Sequence, residues 1–199
     1  MIDVFVSTVI QCAILIGIPW IAYMVFAKER NGFFRWVGLY KPKSNKWIKS
    51  AIVVFFISII IMAGPLILFI KLGSISEEMI YSLDLSSKGI SVGIIVTVLT
   101  KAIFQTALSE EVLFRGFIGK RVEKKFGYLS GNLTQAILFG LPHGLPFVLV
   151  YKAYIFGITF FTCATIVGFM QYYINEKKAN GSIIPSLIIH STINIVSFF

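Results

Sequence analysis

Apolar stretches of about 20 residues, parted by clusters of lysine and arginine, decide what this chain can become. Residues 4–27 carry no charge and residues 47–70 carry only Lys49, and each is long enough as a helix to cross roughly 30 Å of hydrocarbon. Further apolar runs begin near residues 90, 133, 153 and 183. Hydrophobic residues make up 57% of the 199, and the mean hydropathy is +0.85, beyond the range of soluble domains. The expected fold is all-α, a polytopic membrane bundle of about six transmembrane helices forming a single integral membrane domain over residues 1–199.

The net charge of +9 does not point to nucleic acid, because the basic residues sit between the apolar runs. Thirteen of them, from Lys28 through Lys49, Lys120 through Lys125, and Lys177 with Lys178, flank three inner boundaries; Lys71, Lys88 and Lys152 fall on the other side. The bias of lysine and arginine toward cytoplasmic loops places both termini outside a multi-pass cell membrane. The phenylalanine-, isoleucine- and lysine-rich usage fits a bacterial plasma membrane. The first run is too long for a signal-peptide core and is expected to stay as a membrane helix. Cys12 and Cys163 lie in apolar segments without metal or disulfide spacing and read as small buried hydrophobes.

Along the chain, Phe33, Phe34, Trp36 and Tyr40 in the first basic loop suggest a segment lying on lipid headgroups. Gly64-Pro65 marks a kink rather than an end of the second span, and residues 71–88 form its outer connection, with Glu77, Glu78 and Asp84. The fourth helix is expected to be short, over residues 133–142, broken or bent where Pro142 and Pro146 flank His143, with residues 126–131 rising into the membrane as a loop. Pro185 falls in the first turn of the last helix, where its missing N–H does little harm.

Against this background the segment Leu108-Ser109-Glu110-Glu111-Val112-Leu113-Phe114-Arg115 is anomalous. A charge in hydrocarbon costs about 2.5–3.5 kcal/mol even on the lenient insertion scale, so such groups need partners, water or a chemical role. Glu111 and Arg115 are four apart on one helical face and form an ion pair, while Glu110 is turned away from them by about 100°. Glu77-Glu78 lacks both the arginine and the apolar surround. His143 and His190 are the chain's two histidines, and His190 shares a face with Asn194 one turn later. Singly, each histidine reads as a hydrogen bond between helices; together with the glutamates they can do more. Peptide hydrolysis needs a base for water, a second group to steer that water, and donors for the oxyanion. Glu110 can be the base and His143 its partner, with His190 and Asn194 donating N–H bonds to the oxyanion. The same atoms permit a metal site in which Glu110, His143 and His190 hold a zinc ion, although no HExxH helix is present.

The order Glu-Glu-x-x-x-Arg at 110–115, Phe-x-x-x-His at 139–143 and His-x-x-x-Asn at 190–194 resembles the CPBP (Abi) family of intramembrane proteases. That family takes in the type II CAAX prenyl endopeptidases and bacterial bacteriocin-processing and self-immunity proteins. The likeness covers about residues 95–199, which implies a catalytic core over residues 91–199, formed by the last four helices, and two leading helices within residues 1–90. It implies that Glu110 and His143 activate water, that His190 and Asn194 hold the oxyanion, and that Glu111 and Arg115 support them. Family members are described both as metalloproteases and as metal-free glutamate proteases; the metal-free form is the expectation here, with zinc as the alternative. The expected partners are the lipid bilayer and a membrane-associated peptide or protein substrate, such as a leader or pheromone precursor, and no nucleic acid. Two other readings are a non-catalytic bacteriocin-immunity or scaffold protein and a small proton-coupled transporter, the latter without any visible inverted repeat.

Overall fold

The structure is a computed structural model that describes residues 2–27, 31–75 and 91–198. The connection around Glu77, Glu78 and Asp84, with Lys88, and the basic residues Lys28 and Arg30 lie outside the described residues. Seven helices account for most of the rest. They are α1 (Ile2–Phe26), α2 (Phe33–Trp36), α3 (Trp47–Lys71), α4 (Val92–Phe126), α5 (Tyr128–Leu149), α6 (Tyr154–Lys178) and α7 (Ile184–Ser197). Among the described residues α1, α3, α4 and α6 are long and apolar enough to cross a membrane. Helix α5 is 22 residues long but is interrupted by Gly, Pro, Asn and Gln, and α7 is only 14 residues long.

The apolar runs become helices because nothing in lipid except a neighbouring turn can satisfy their backbone groups. Their lipid-facing surfaces keep large side chains such as Phe5, Ile18, Ile60 and Ile155 exposed. Helix α3 passes through Gly64-Pro65 without interruption. Helix α4 is wound unusually: Thr100–Leu108 and Glu111–Gly119 have π-helical bonding, with Ser109 and Glu110 between them. In the first of these segments the Thr106 hydroxyl donates to the carbonyls of Lys101 and Ala102, and the Ser109 hydroxyl donates to that of Gln105. Widened turns of this kind concentrate at functional sites.

Helices α5 and α6 form the closest pair. A Cβ on Gly140 would stand 2.2 Å from Thr165 Oγ1, and one on Gly144 would stand 2.4 Å from the Gly157 carbonyl. Small residues at these positions let two backbones touch, the usual substitute in lipid for a hydrophobic driving force. This packing corrects one sequence expectation. The helix carrying His143 is neither short nor broken: it runs from Tyr128 to Leu149 through both prolines. No rising loop precedes it. Because α4 stays helical to Phe126, both sides of the hairpin are measured from the turn at Gly127, whose φ is +87°. Glu110 lies 17 residues before that glycine and His143 lies 16 after it, which brings them to similar levels.

The first basic loop packs onto the end of the bundle. Phe34 is exposed, but Phe33 and Trp36 pack edge-on against Tyr23, and Trp36 stacks on Phe117. The Arg121 guanidinium lies 4.0 Å above the Trp36 ring and donates to its carbonyl. Val37 is fully buried, the Ile183 N–H donates to the Gly38 carbonyl at 2.9 Å, and the Tyr40 hydroxyl donates to the Asn180 carbonyl at 2.7 Å. Burial and the nearby Glu176 carboxylate push the Tyr40 hydroxyl pKa up, which keeps it a donor. The loop is therefore a strap across the basic end of the bundle, tied down by a cation–π contact and by bonds to backbone carbonyls.

Candidate active site

Glu111 is the hub of the buried polar cluster. It and Arg115 are completely shielded, and Arg115 Nη1 lies 3.3 Å from Glu111 Oε1. His190 Nδ1 is 3.0 Å from the same carboxylate oxygen, and the Ser186 hydroxyl donates to the other. Two hydrogen bonds and one ion pair thus meet on this carboxylate, and the neighbouring cation offsets a desolvation cost that an isolated ion could not meet. Helical spacing explains the convergence. Glu111 and Arg115 are one turn apart on α4, while Ser186, His190 and Asn194 form a single stripe on α7.

Two residues of α6 extend the cluster. Arg115 Nη2 donates to Gln171 Oε1 at 3.2 Å. The Asn175 amide donates to the Ser186 hydroxyl at 2.7 Å and its carbonyl oxygen accepts from the Ser186 backbone N–H. Neither was singled out from sequence, nor was Ser186, although Gln171 with Asn175 and Ser186 with His190 are each one turn apart. That repeat of buried-type polar residues on otherwise apolar helices is the signal that would have found them.

Phe139 is the apolar centre around which the charged groups are arranged. The Arg115 guanidinium lies 3.7 Å over its ring, the His143 ring centre is 4.6 Å away, and His190 meets it edge-on at 5.5 Å. His143 Nδ1 lies 2.9 Å from the Phe139 carbonyl. A carbonyl can only accept, so Nδ1 carries the proton, and in the neutral ring Nε2 is left as a lone-pair acceptor.

Glu110 behaves differently from its neighbour. Its Oε2 lies 4.0 Å from His190 Nε2, too far for a direct hydrogen bond, and it is buried without a hydrogen-bond partner. A single imidazole thus stands between two adjacent carboxylates, bonded to one and merely near the other. Asn194 is committed elsewhere: its amide nitrogen donates to Thr106 Oγ1 at 2.7 Å and approaches the Ala102 carbonyl at 3.4 Å.

A cavity of about 380 Å³ adjoins this cluster. His143, His190, Asn194, Gln171 and Ser197 line it together with Phe139 and apolar residues of α3, α6 and α7, while Glu110, whose Oε2 is 4.0 Å from His190 Nε2, is not part of its wall. The zinc alternative needs Glu110, His143 and His190 to converge. Among the described residues no three His, Cys, Asp or Glu side chains are gathered as a metal ion would require. As arranged, the three side chains do not fit a metal ion.

No curated protein and no solved structure matches this chain. Residues 62–196, which take in α4 to α7 and the whole polar cluster, match the family described as "Type II CAAX prenyl endopeptidase Rce1-like". Glu110, Glu111, Arg115, His143, His190 and Asn194 all fall within the matched region, which covers well over half of the sequence. A helical membrane chain with acid, arginine, histidines and amide buried around one cavity is thus a member of the Rce1-like type II CAAX prenyl endopeptidase family, a family of membrane proteases.

Proposed function

We propose that the chain is an intramembrane endopeptidase in which Glu110 is the general base for water. The observation that carries this reading is the contrast within one dipeptide. Glu111 is saturated with donors, whereas Glu110 Oε2 is buried beside His190 without a partner. A carboxylate oxygen left in that condition is suited to accept a proton from water.

His190 takes part through its two ring nitrogens. The step needs a donor on both, Nδ1 toward Glu111 and Nε2 toward the oxygen on which the negative charge develops. His143 Nε2, an acceptor in the neutral ring, orients the attacking water from the other side. Water adds to the peptide carbonyl as Glu110 takes its proton, His190 stabilises the oxygen, and the proton then passes to the departing amine. Asn194 contributes a second donor once its bond to Thr106 is shared or exchanged. The substrate is a membrane-associated peptide or protein. The basic end of the bundle, with the strap, Lys120, Lys124, Lys125, Lys177 and Lys178, faces the cytoplasm, which puts both termini outside.

The test is cleavage by the purified chain in lipid vesicles, offered a peptide carrying a prenylated CAAX box and, separately, a lipid-anchored leader peptide. Release of a defined fragment by the parent protein, lost in Glu110→Gln and in His143→Ala at unchanged expression, is the expected result. Undiminished cleavage by both variants would overturn the assignment. Activity that survives stringent chelation separates the metal-free form from the zinc form.

A further inference from the structure

The cavity has two unlike ends, and their positions along the helices say which way it faces. Helix α3 leaves the basic end at Trp47, and the cavity touches only its second half, from Ile59 to Leu66. Helix α7 leaves the basic end at Ile184 and is touched from His190 to Ser197, whereas α6, running the other way, is touched from Phe160 to Gln171. The chamber therefore extends from His190 away from the basic loops. Exposure follows the same axis. Gln171, Val167, Ala164 and His190 at the polar end are 1–5% exposed, while Val196 at the far end is 51% exposed.

The basic end is blocked in depth. Glu111, Arg115, Asn175 and Ser186, all fully buried, fill the space below His190. Beneath them Ile183 is tied to the strap at Gly38, the Ser182 hydroxyl donates to the Tyr40 carbonyl, and Lys120 is paired with Glu176 at 2.5 Å. The chamber's lining contains no Lys, Arg, Asp or Glu; Gln171, His143, His190 and Asn194 supply polar groups from the closed end outward, with Ser197 beside Val196 at the far end. Its middle and mouth are formed by such side chains as Ile59, Met62, Leu66, Phe160, Ile193 and Val196.

We propose that this is a blind chamber that admits its substrate from the end of the bundle opposite the basic loops, and that its occupant is an uncharged peptide segment with apolar side chains flanking the scissile bond. This rests on the protease reading for the nature of the occupant, while the direction of access stands on the geometry alone. A volume of about 380 Å³ is within the range of specific ligand sites, roughly 300–1,000 Å³, and an apolar wall with a few convergent polar groups at one end is their usual design. With the basic loops on the cytoplasmic side, the cleaved segment comes from the outer leaflet, as the outward part of a membrane-spanning or surface-lying peptide.

Thiol accessibility tests the direction without needing activity. Both native cysteines are free, so Cys12→Ala/Cys163→Ala supplies the background. Ile193→Cys, one turn from His190 on the chamber wall, and Lys177→Cys at the basic end are compared in sealed vesicles of one orientation, using a small membrane-impermeant methanethiosulfonate on either side. The two thiols are expected to react from opposite sides, and Ala63→Trp, which narrows the chamber, is expected to slow the Ile193→Cys reaction at least tenfold. Reaction of both thiols from the same side overturns the proposal. So does an unreactive Ile193→Cys in vesicles where Val196→Cys at the mouth does react. Val196→Cys also stands in should Ile193→Cys fail to fold. A failure to cleave any peptide would leave this labelling pattern intact, so the two readings fail separately.

Discussion

His190 Nδ1 and Glu111 Oε1 are 3.0 Å apart, while the opposite face of the same imidazole stands 4.0 Å from Glu110 Oε2. Two chemically identical neighbours in the chain are thereby given different work, one fixing the ring and the other left with a free oxygen.

That difference predicts opposite profiles for two conservative substitutions. Glu110→Gln removes the base and disturbs no existing hydrogen bond at Oε2, so cleavage is expected to fall by about 10²–10⁴ with little change in thermal unfolding. Glu111→Gln strands Arg115 and loosens His190 and Ser186, and breaking a buried pair costs about 3–5 kcal/mol. It is expected to lower the unfolding temperature in detergent sharply, and activity with it. Calorimetry or a fluorescence melt beside a cleavage assay would show both, and equal melts for the two variants would contradict the division.

Ser186 is expected to act through Glu111. Its hydroxyl donates to the Glu111 carboxylate and accepts from Asn175, so Ser186→Ala leaves both short of a partner at a cost of about 1–3 kcal/mol. Because Ser186 is fully buried and does not line the cavity, kcat should fall while KM holds, and Ser186→Thr should restore part of the loss. An equal fall in KM and kcat, or no rescue by threonine, would make the residue merely structural.

The strap makes a prediction about stability alone. Gly38 has φ +85°, and a Cβ there would lie 2.6 Å from both the Gly181 carbonyl oxygen and Lys120 Cε. Gly38→Ala combines a left-handed backbone with a clash against backbone, worth about 1–3 kcal/mol, and should weaken the Ile183–Gly38 bond. A drop of several degrees in unfolding temperature is expected, with faster proteolysis near residues 31–46. Gly32→Ala, with φ +91° but open space around it, should cost less.

Much of this was legible in the sequence because hydrocarbon is a simple solvent. Length and apolarity located α1, α3 and α6 to within a few residues, and the anomaly of charge in an apolar run located Glu110, Glu111 and Arg115. What escaped was anything decided by contacts between helices. Pro142 and Pro146 argued for a break, but the close seating of Gly140 and Gly144 on α6 holds α5 continuous, a fact no single helix contains. The aromatic residues before Lys41 carry no sign in the sequence that Arg121, some 85 residues on, stacks over Trp36. The one-turn repeats mark Ser186 and Asn175 as buried polar residues, but that they bond each other and Glu111 is decided between helices and is not written in either one.

Asn194 offers the sharpest test of the oxyanion assignment, because its amide is engaged with Thr106 and with the Ala102 carbonyl. If the amide serves the oxyanion, that engagement must yield as the intermediate forms. Asn194→Ala should then lower kcat by about 10²–10³, the usual loss for one oxyanion donor. Thr106→Val removes the competing acceptor and keeps the side chain's shape, so its kcat should stay within about tenfold of the parent. If the amide serves only to bind α7 to α4, the two substitutions break the same contact and should instead cause similar losses of stability, with similar small effects on kcat. Measuring kcat and the unfolding temperature for both variants decides between these outcomes, a large kcat loss confined to Asn194→Ala favouring the oxyanion role and matched small losses favouring the structural one.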